Sequence, residues 1–320
     1  MPGTFGVKRG KRIVNGWVVL DKPLGLTSTQ ALGKVRWALG AAKGGHGGTL
    51  DPLATGILPL AFGEATKALP YVVDASKTYR FTIRFGLETT TLDAEGAVTA
   101  TSDARPATAA VEAALAAFHG TIDQVPPAFS AIKVDGERAY DLARAGETVD
   151  LAARPVQIHR FHLIGRDDAD QATFEVECGK GTYVRALARD LSRALGTVGH
   201  VCMLRRLRVG PFGTGMAVTL DHIQNLVENS PDLLHTSPPD GILLPVVTAL
   251  DDIPALAVTA GDARALKDGR AIDMPGTVQN SVPDTVASQQ VVRLMAPAGL
   301  VALGRVDGPL VRPVRVFNLD

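Results

Sequence analysis

The chain is poor in cysteine and carries no net charge. Only Cys178 and Cys202 occur in 320 residues, too few for a disulfide framework or a cysteine-based zinc site. Its seven histidines form no HxxxH-type cluster, so the common metal-ligand spacings are missing and no metal is expected. No apolar run approaches the ~20 residues of a membrane span, and the N-terminus lacks the apolar stretch of a signal peptide. A cytoplasmic protein is the expectation. Lys plus Arg equals Asp plus Glu at 33 each. Net charge therefore points to no nucleic-acid partner, and excludes none, because a local patch matters more than the total.

What is present is unevenly placed. From Gly179 to Gly210 there are seven Lys or Arg and one acid, Asp190, whereas Asp221 to Asp252 holds six acids and no Lys or Arg. Lys8, Arg9, Lys11 and Arg12 precede the first acid, Asp21. Such a chain can be neutral and still present a surface for a polyanion; solvated helix faces are the plainer alternative. Hydrophobic residues make up 46%, enough for a large core.

Periodicity suggests mixed α/β (α+β) architecture. Trp17–Leu20 reads as a strand closed by a turn at Lys22-Pro23-Leu24-Gly25. Thr27–Leu39 reads as a helix. In Lys77–Leu87, Tyr79, Phe81, Ile83 and Phe85 alternate with Arg80, Thr82 and Arg84, which predicts a strand with one buried and one cationic face. Ala107–His119 is helical with Gly120 as its stop. Residues 121–155, with Pro126-Pro127, read as an excursion from the core sheet. Ala172–Cys178 alternates again, Gly179 and Gly181 break it, and Tyr183–Leu195 is helical. Val227–Pro245 is rich in Pro, Asp and Ser and suggests a linker. The organisation expected is a catalytic domain over 1–245 and a small β-rich domain over 246–320, with late strands at Val291–Met295, Leu300–Val306 and Val311–Phe317.

The most informative stretch is GGHGGTLDPLATGILPL, Gly44 to Leu60. Glycine lets a ligand approach the backbone closely, and Pro52 pushes Asp51 out of the helical region. One carboxylate is thus presented beside a glycine loop. Taken alone, Asp-Pro is also an ordinary turn element. A phosphate-binding loop is a rival, but the Gly-Lys-Ser/Thr ending is absent.

This stretch closely resembles the catalytic motif of TruB-type tRNA pseudouridine synthases. VLDKPLGLTSTQAL (Val19–Leu32) resembles the first motif of that family, and KTYRFTIRFGLETTTLDAEG (Lys77–Gly96) the strand after the catalytic loop. PPAFSAIKVDGERAYDLAR (Pro126–Arg144) resembles its RNA-gripping insertion. CGKGTYVRALARDL (Cys178–Leu191) resembles its arginine motif, and HVCMLRRLRVGPF (His200–Phe212) the segment that closes the pocket. GLVALGRVDGPLVRPVRVFN, near the C-terminus, is similar to the end of a PUA-like RNA-binding domain. Residues Asp273–Gln290 match no motif.

The resemblance implies a pseudouridine synthase core that acts on the T-loop uridine at position 55 of tRNA. Uracil would be detached, rotated and rejoined through carbon, with no cofactor, no obligatory protein partner and a monomeric enzyme. Asp51 is implied as the catalytic carboxylate, as nucleophile or base, and Arg185 as the arginine paired with it. Tyr79 matches the tyrosine that stacks on the base, and its hydroxyl is suited to moving a proton. His46 matches the residue that fills the gap left by the extruded nucleotide. Tyr183 and Leu204 match further pocket positions. Without the resemblance, Tyr79 and Leu204 would be read as core, and Arg185 as a surface charge. Lys22 stays outside the catalytic set. An RNA of another kind, read with or without a guide, is the alternative substrate. A non-catalytic RNA binder would not need Asp51, and a glycoside hydrolase would need a second acid.

Overall fold

The computed structural model describes residues 12–130, 132–134, 136–147, 149–166, 168–229, 241–274 and 289–319. The chain begins with β1 (Gly16–Lys22), α1 (Ser28–Ala38), β2 (Gly44–His46), β3 (Ala54–Phe62), α2 (Leu69–Asp74) and β4 (Lys77–Phe85). It continues through the hairpin β5 (Leu87–Thr89) and β6 (Val98–Thr101), then α3 (Thr108–Ala114) and β7 (Gly120–Gln124). Next come β8 (Lys133–Val134), β9 (Glu137–Arg138), α4 (Ala139–Arg144), β10 (Arg154–Gly165), β11 (Gln171–Cys178) and α5 (Val184–Ala194). β12 (Gly199–Val209), β13 (Phe212–Gly213), β14 (Val218–Thr219) and α6 (Leu220–Asn229) come after these. The last part holds β15 (Ala255–Ala257), α7 (Ala260–Lys267), β16 (Ile272–Asp273), β17 (Val291–Ala296), β18 (Gly299–Asp307) and β19 (Leu310–Val316).

Ten strands form one mixed sheet in the order β14-β1-β3-β12-β4-β11-β10-β7, with β2 beside β3 and β13 beside β12. Most pairs are antiparallel, while β1–β14 and β12–β3 are parallel. The sequence pattern explains how each half is covered. β11 alternates strictly between buried and half-buried residues, and Phe174 and Val176 join Phe81 and Ile83 of β4 under α5. One face of this half stays polar, as antiparallel sheets allow. β1 and β3 are apolar at nearly every position, because both their faces are covered. Val18, Leu20, Leu58 and Leu60 pack towards α1 and α6. Trp17, Val19, Ile57 and Ala61 pack on the other side against Val246, Leu250, Leu300, Leu303 and Phe317.

Local signals set the ends of several elements. A capping box between Thr27 and Gln30 starts α1. α3 tightens into a 3-10 turn over Leu115–Phe118, and Gly120 then takes a φ of 78°, which glycine tolerates best.

The excursion between β7 and β10 is shorter than the sequence suggests. Gln124 pairs with Arg154 and Thr121 with Gln157 in the main sheet, so residues 121–124 and 154–155 are edge-strand residues. Backbone pairing there is indifferent to the mixed polarity that made this stretch look like a loop. α6 likewise runs to Asn229, into the stretch whose composition suggests a linker. Residues 230–240, 275–288 and the basic positions Lys8, Arg9 and Lys11 lie outside the described residues. The three expected late strands are present as β17, β18 and β19, and with β15 and β16 they form a second sheet in the order β15-β17-β18-β19-β16. No helix among the described residues is long and apolar enough to cross a membrane.

Candidate active site

The loop between β2 and β3 carries Asp51, and three buried side chains hold its backbone. The Ser28 hydroxyl, at the start of α1, accepts from Leu50 N at 2.8 Å and donates to Leu50 O at 3.1 Å. The Lys22 ammonium donates to Leu26 O at 2.7 Å and Pro23 O at 2.9 Å, and reaches Pro52 O at 3.5 Å. Arg206, on β12, donates to Ile57 O at 2.7 Å, Gly48 O at 3.0 Å and Thr49 O at 3.4 Å. The loop and the start of β3 pack too closely for side chains at two glycines. A Cβ on Gly47 would meet Val72 at 2.6 Å, and one on Gly56 would meet the Arg206 carbonyl at 2.2 Å. Asp51 itself keeps 42% of its side chain exposed, so a fixed backbone presents an accessible carboxylate.

Arg185 reaches this carboxylate from the first turn of α5. Its Nη2 lies 2.9 Å from Asp51 Oδ2 and also donates to Phe129 O at 3.0 Å. Its Nη1 donates to Thr91 O at 2.9 Å and lies 3.7 Å from Asp93 Oδ2. Only 9% of the Arg185 side chain is exposed, so the guanidinium faces inward rather than towards solvent. Asp93 is buried as well and accepts from Glu95 N at 3.1 Å. Two carboxylates and two carbonyls therefore surround one planar fork, whose shape suits several acceptors at once.

Of the other expected residues, Tyr79 and Tyr183 lie within range of the Asp51 charge. Tyr79 and Leu204 each pack against both large cores, at the seam between them. In the β4–β12 register Tyr79 stands opposite Arg206, and Leu204 opposite Phe81. Burial pushes the Tyr79 phenol up; the Arg206 charge pulls it back, and Asp51 pushes it up further. Tyr183, the residue that caps α5, has its phenol raised mainly by burial, again with Asp51 adding to the rise. Both phenols thus feel the Asp51 charge. Burial, and after it Arg206, lowers the His46 imidazole, which favours the neutral ring. His46 Nδ1 is buried without a hydrogen-bond partner, and no hydrogen bond joins His46 to Asp51 among the described residues.

Sequence reasoning missed three members of this arrangement and left a fourth, Lys22, outside the catalytic set. Ser28, Asp93 and Arg206 are buried polar residues in strands, turns or helix starts that read as ordinary surface positions. Lys22 is fully buried, and its ammonium donates to three carbonyls among the described residues; burial brings its ammonium down to about 8, although Asp51 opposes the shift. The basic stretch also differs from expectation. Arg185 and Arg206 point inward. Lys180, Arg189, Arg193, Arg205 and Arg208 each face an acid: Asp74, Asp190, Glu88, Asp21 and Glu177. The stretch is therefore no free basic strip, because acids distant in sequence neutralise most of it.

A cleft of about 370 Å³ lined by Thr78, Arg160, His162, Glu175 and Arg208 opens on the polar face of the sheet. Tyr79 and its neighbours lie on the opposite face, so this cleft is separate from the Asp51 site. No group of three His, Cys, Asp or Glu is placed to hold a metal among the described residues.

Comparison with known proteins gives a consistent result. The profile described as the TruB family pseudouridylate synthase N-terminal domain matches residues 36–184. That described as the tRNA pseudouridylate synthase B C-terminal domain matches residues 185–251. The chain is 54% identical to tRNA pseudouridine synthase B of Caulobacter vibrioides over 96% of this chain and 97% of the relative. It is 52% identical to that of Bradyrhizobium diazoefficiens, over 98% of this chain and 88% of the relative. Among solved structures, an H/ACA RNP bound to a substrate RNA containing 2′-deoxyuridine shares the fold. That match has a TM-score of 0.72 at 23% identity and covers 95% of this chain and 85% of the other. An archaeal box H/ACA sRNP Nop10-Cbf5 complex matches with a TM-score of 0.72 at 24% identity, over 96% and 87%. With two family profiles in sequence and relatives more than half identical along nearly its whole length, this chain belongs to the TruB family of pseudouridylate synthases.

Proposed function

We propose that this protein isomerises uridine to pseudouridine in tRNA, at the T-loop uridine of position 55, with Asp51 as the catalytic carboxylate. The observation that carries the reading is the Arg185–Asp51 contact at 2.9 Å, which joins two motifs distant in sequence beside Tyr79 and Tyr183. In the reaction the bond from the uracil nitrogen to the ribose breaks. The ring turns, a carbon–carbon bond forms to the same sugar carbon, and the proton leaving the ring carbon is balanced by one gained at nitrogen. Nothing is oxidised or reduced, so the chemistry consumes no cofactor. Asp51 acts on the sugar as nucleophile or as base, and Arg185 fixes its direction. The base must leave the RNA stack to arrive there. Tyr79 and Leu204 at the seam of the cores form its apolar bed, with Tyr183 at its side. The neutral His46 ring is suited to filling the space the base vacates.

The presence of two separate sheets supports a division of labour. Residues 1–245 serve as the catalytic part, the excursion between β7 and β10 grips RNA, and residues 246–320 give further RNA contact as a PUA-like unit. The working form is a monomer in the cytoplasm without an obligatory protein partner. The test is incubation of purified protein with unmodified tRNA and mapping of pseudouridine at single-nucleotide resolution. A single new pseudouridine in the T-loop supports the reading; product elsewhere, or none, overturns it.

A further inference from the structure

The root of the excursion is stitched to the helix that carries Arg185. Gln124 ends β7 and is 1% exposed. A buried amide must find partners for its oxygen and its nitrogen. Gln124 finds both on the backbone of one residue: Oε1 accepts from Tyr183 N at 2.8 Å, and Nε2 donates to Tyr183 O at 3.2 Å. Tyr183 is the cap of α5, whose own side chain makes no capping hydrogen bond, and the first turn of α5 holds no acid. One residue further along the excursion, Val125 O accepts from Arg189 Nη2 at 2.8 Å. Four residues beyond that, Phe129 O accepts from the Arg185 nitrogen that also holds Asp51. Three points of the excursion root thus meet the first turns of α5, and the last of them shares a nitrogen with the candidate catalytic carboxylate.

We infer that Gln124 is a positioning residue: it locks the start of α5 to the root of the RNA-gripping excursion, so that seating of the excursion and alignment of Arg185 on Asp51 are one event. This rests on the proposed role of the Arg185–Asp51 pair. Geometry explains why an amide is needed here. Its acceptor and donor match the N–H and C=O of one residue, and neither an apolar side chain nor a charged one of the same length makes both bonds. Gln124 touches neither Asp51 nor Arg185, so it acts only through the placement of Tyr183 and the first turn of α5.

The test uses the full-length protein and unmodified tRNA. Gln124→Met keeps the volume and removes both bonds; Gln124→Glu keeps the acceptor alone and serves if the Met variant does not fold. The expected result is a single-turnover rate lowered at least about tenfold, since a misplacement of ~1 Å at a reacting group costs up to about a hundredfold. tRNA affinity should stay within about threefold. Combining either variant with Arg185→Lys should cost less than the product of the two separate losses, because both act through the same guanidinium. A wild-type single-turnover rate in a folded variant overturns the inference. So does a loss that resides wholly in tRNA affinity, or a double variant whose losses multiply. Asp51→Asn is run alongside: if it remains active, the underlying reading of the site fails, whereas an inert Asp51→Asn with a fully active Gln124→Met removes the lock alone.

Discussion

Replacing Arg185 by lysine is the sharpest test of the site. The guanidinium serves Asp51 Oδ2 at 2.9 Å, Phe129 O at 3.0 Å and Thr91 O at 2.9 Å, with Asp93 Oδ2 at 3.7 Å. These acceptors surround two nitrogens of a rigid fork. A lysine ammonium is one point on a flexible stem and cannot occupy both nitrogen positions. At least one buried carbonyl then loses its donor, which costs ~1–3 kcal/mol of stability. Asp51 also loses the partner that fixes its direction, and the single-turnover rate should fall by about a hundredfold, the scale of a ~1 Å misplacement. Affinity for tRNA should stay within about tenfold, or ~1.4 kcal/mol, because a side chain with 9% exposure offers little to a phosphate. The assay is single-turnover pseudouridine formation with enzyme in excess, beside a filter-binding titration and a thermal melt. A Lys variant that turns over at nearly the wild-type rate would refute the argument, as would a rate loss matched by an equal loss of affinity.

Asp51→Asn keeps size and removes charge; turnover should fall below detection with tRNA affinity within about tenfold, and pseudouridine formed near the wild-type rate would exclude Asp51 from the chemistry. Tyr79→Phe should bind normally and slow release of hydrogen from the base carbon, whereas Tyr79→Leu should also lose stacking; an unaltered release rate in the Phe variant removes the proton-transfer role and leaves only stacking or core packing. Burial holds the Lys22 and Lys77 ammonium groups at about 8, against 10.5 in the unfolded chain. The folded state therefore binds fewer protons in that window, and stability should rise with pH above 8. Measured by denaturant titration below pH 10, before tyrosines ionise, the rise should be smaller in Lys22→Met; an identical slope would count against the burial argument. Ending the chain after Leu250 removes Leu300, Leu303 and Phe317 from the core they share with Trp17. At ~1.5–3 kcal/mol for each large side chain, the loss approaches the whole stability of an ordinary domain, ~5–15 kcal/mol. The truncated chain should therefore melt far lower or fail to fold, and an unchanged melting temperature would contradict this.

Patterns that act over a few residues are legible in the sequence. Alternation places β4 and β11, and the Gly179–Gly181 break places the start of α5. Asp51 and Arg185 are legible only because two long motifs resemble a known family; their contact is a product of tertiary structure that no local pattern encodes. Buried polar residues are the main loss. Gln124 and Asp93 look like edge-strand and turn residues until the backbone groups they serve are known. Arg205 and Asp21 are 184 positions apart, so no local pattern announces their mutual neutralisation, and the basic stretch reads as a surface. The excursion looks longer in sequence than in space because strands at a sheet edge need only backbone partners, and their composition resembles that of loops.

The core behind β1 has a consequence for how the protein is made. Trp17 receives its neighbours from segments synthesised long after it: its ring packs on Phe212, its indole N–H donates to Val246 O, and its cluster closes with Phe317. At the usual ~5–20 residues per second of synthesis, Phe317 emerges roughly 15–60 s after Trp17. During that interval the rear of β1 and β3 is an open apolar face on a chain still attached to the ribosome. The loop that carries Asp51 rests on the opposite end of these same two strands. Its glycines, Ser28 and Lys22 are synthesised early, yet the sheet beneath them becomes fully packed only when the final strand arrives.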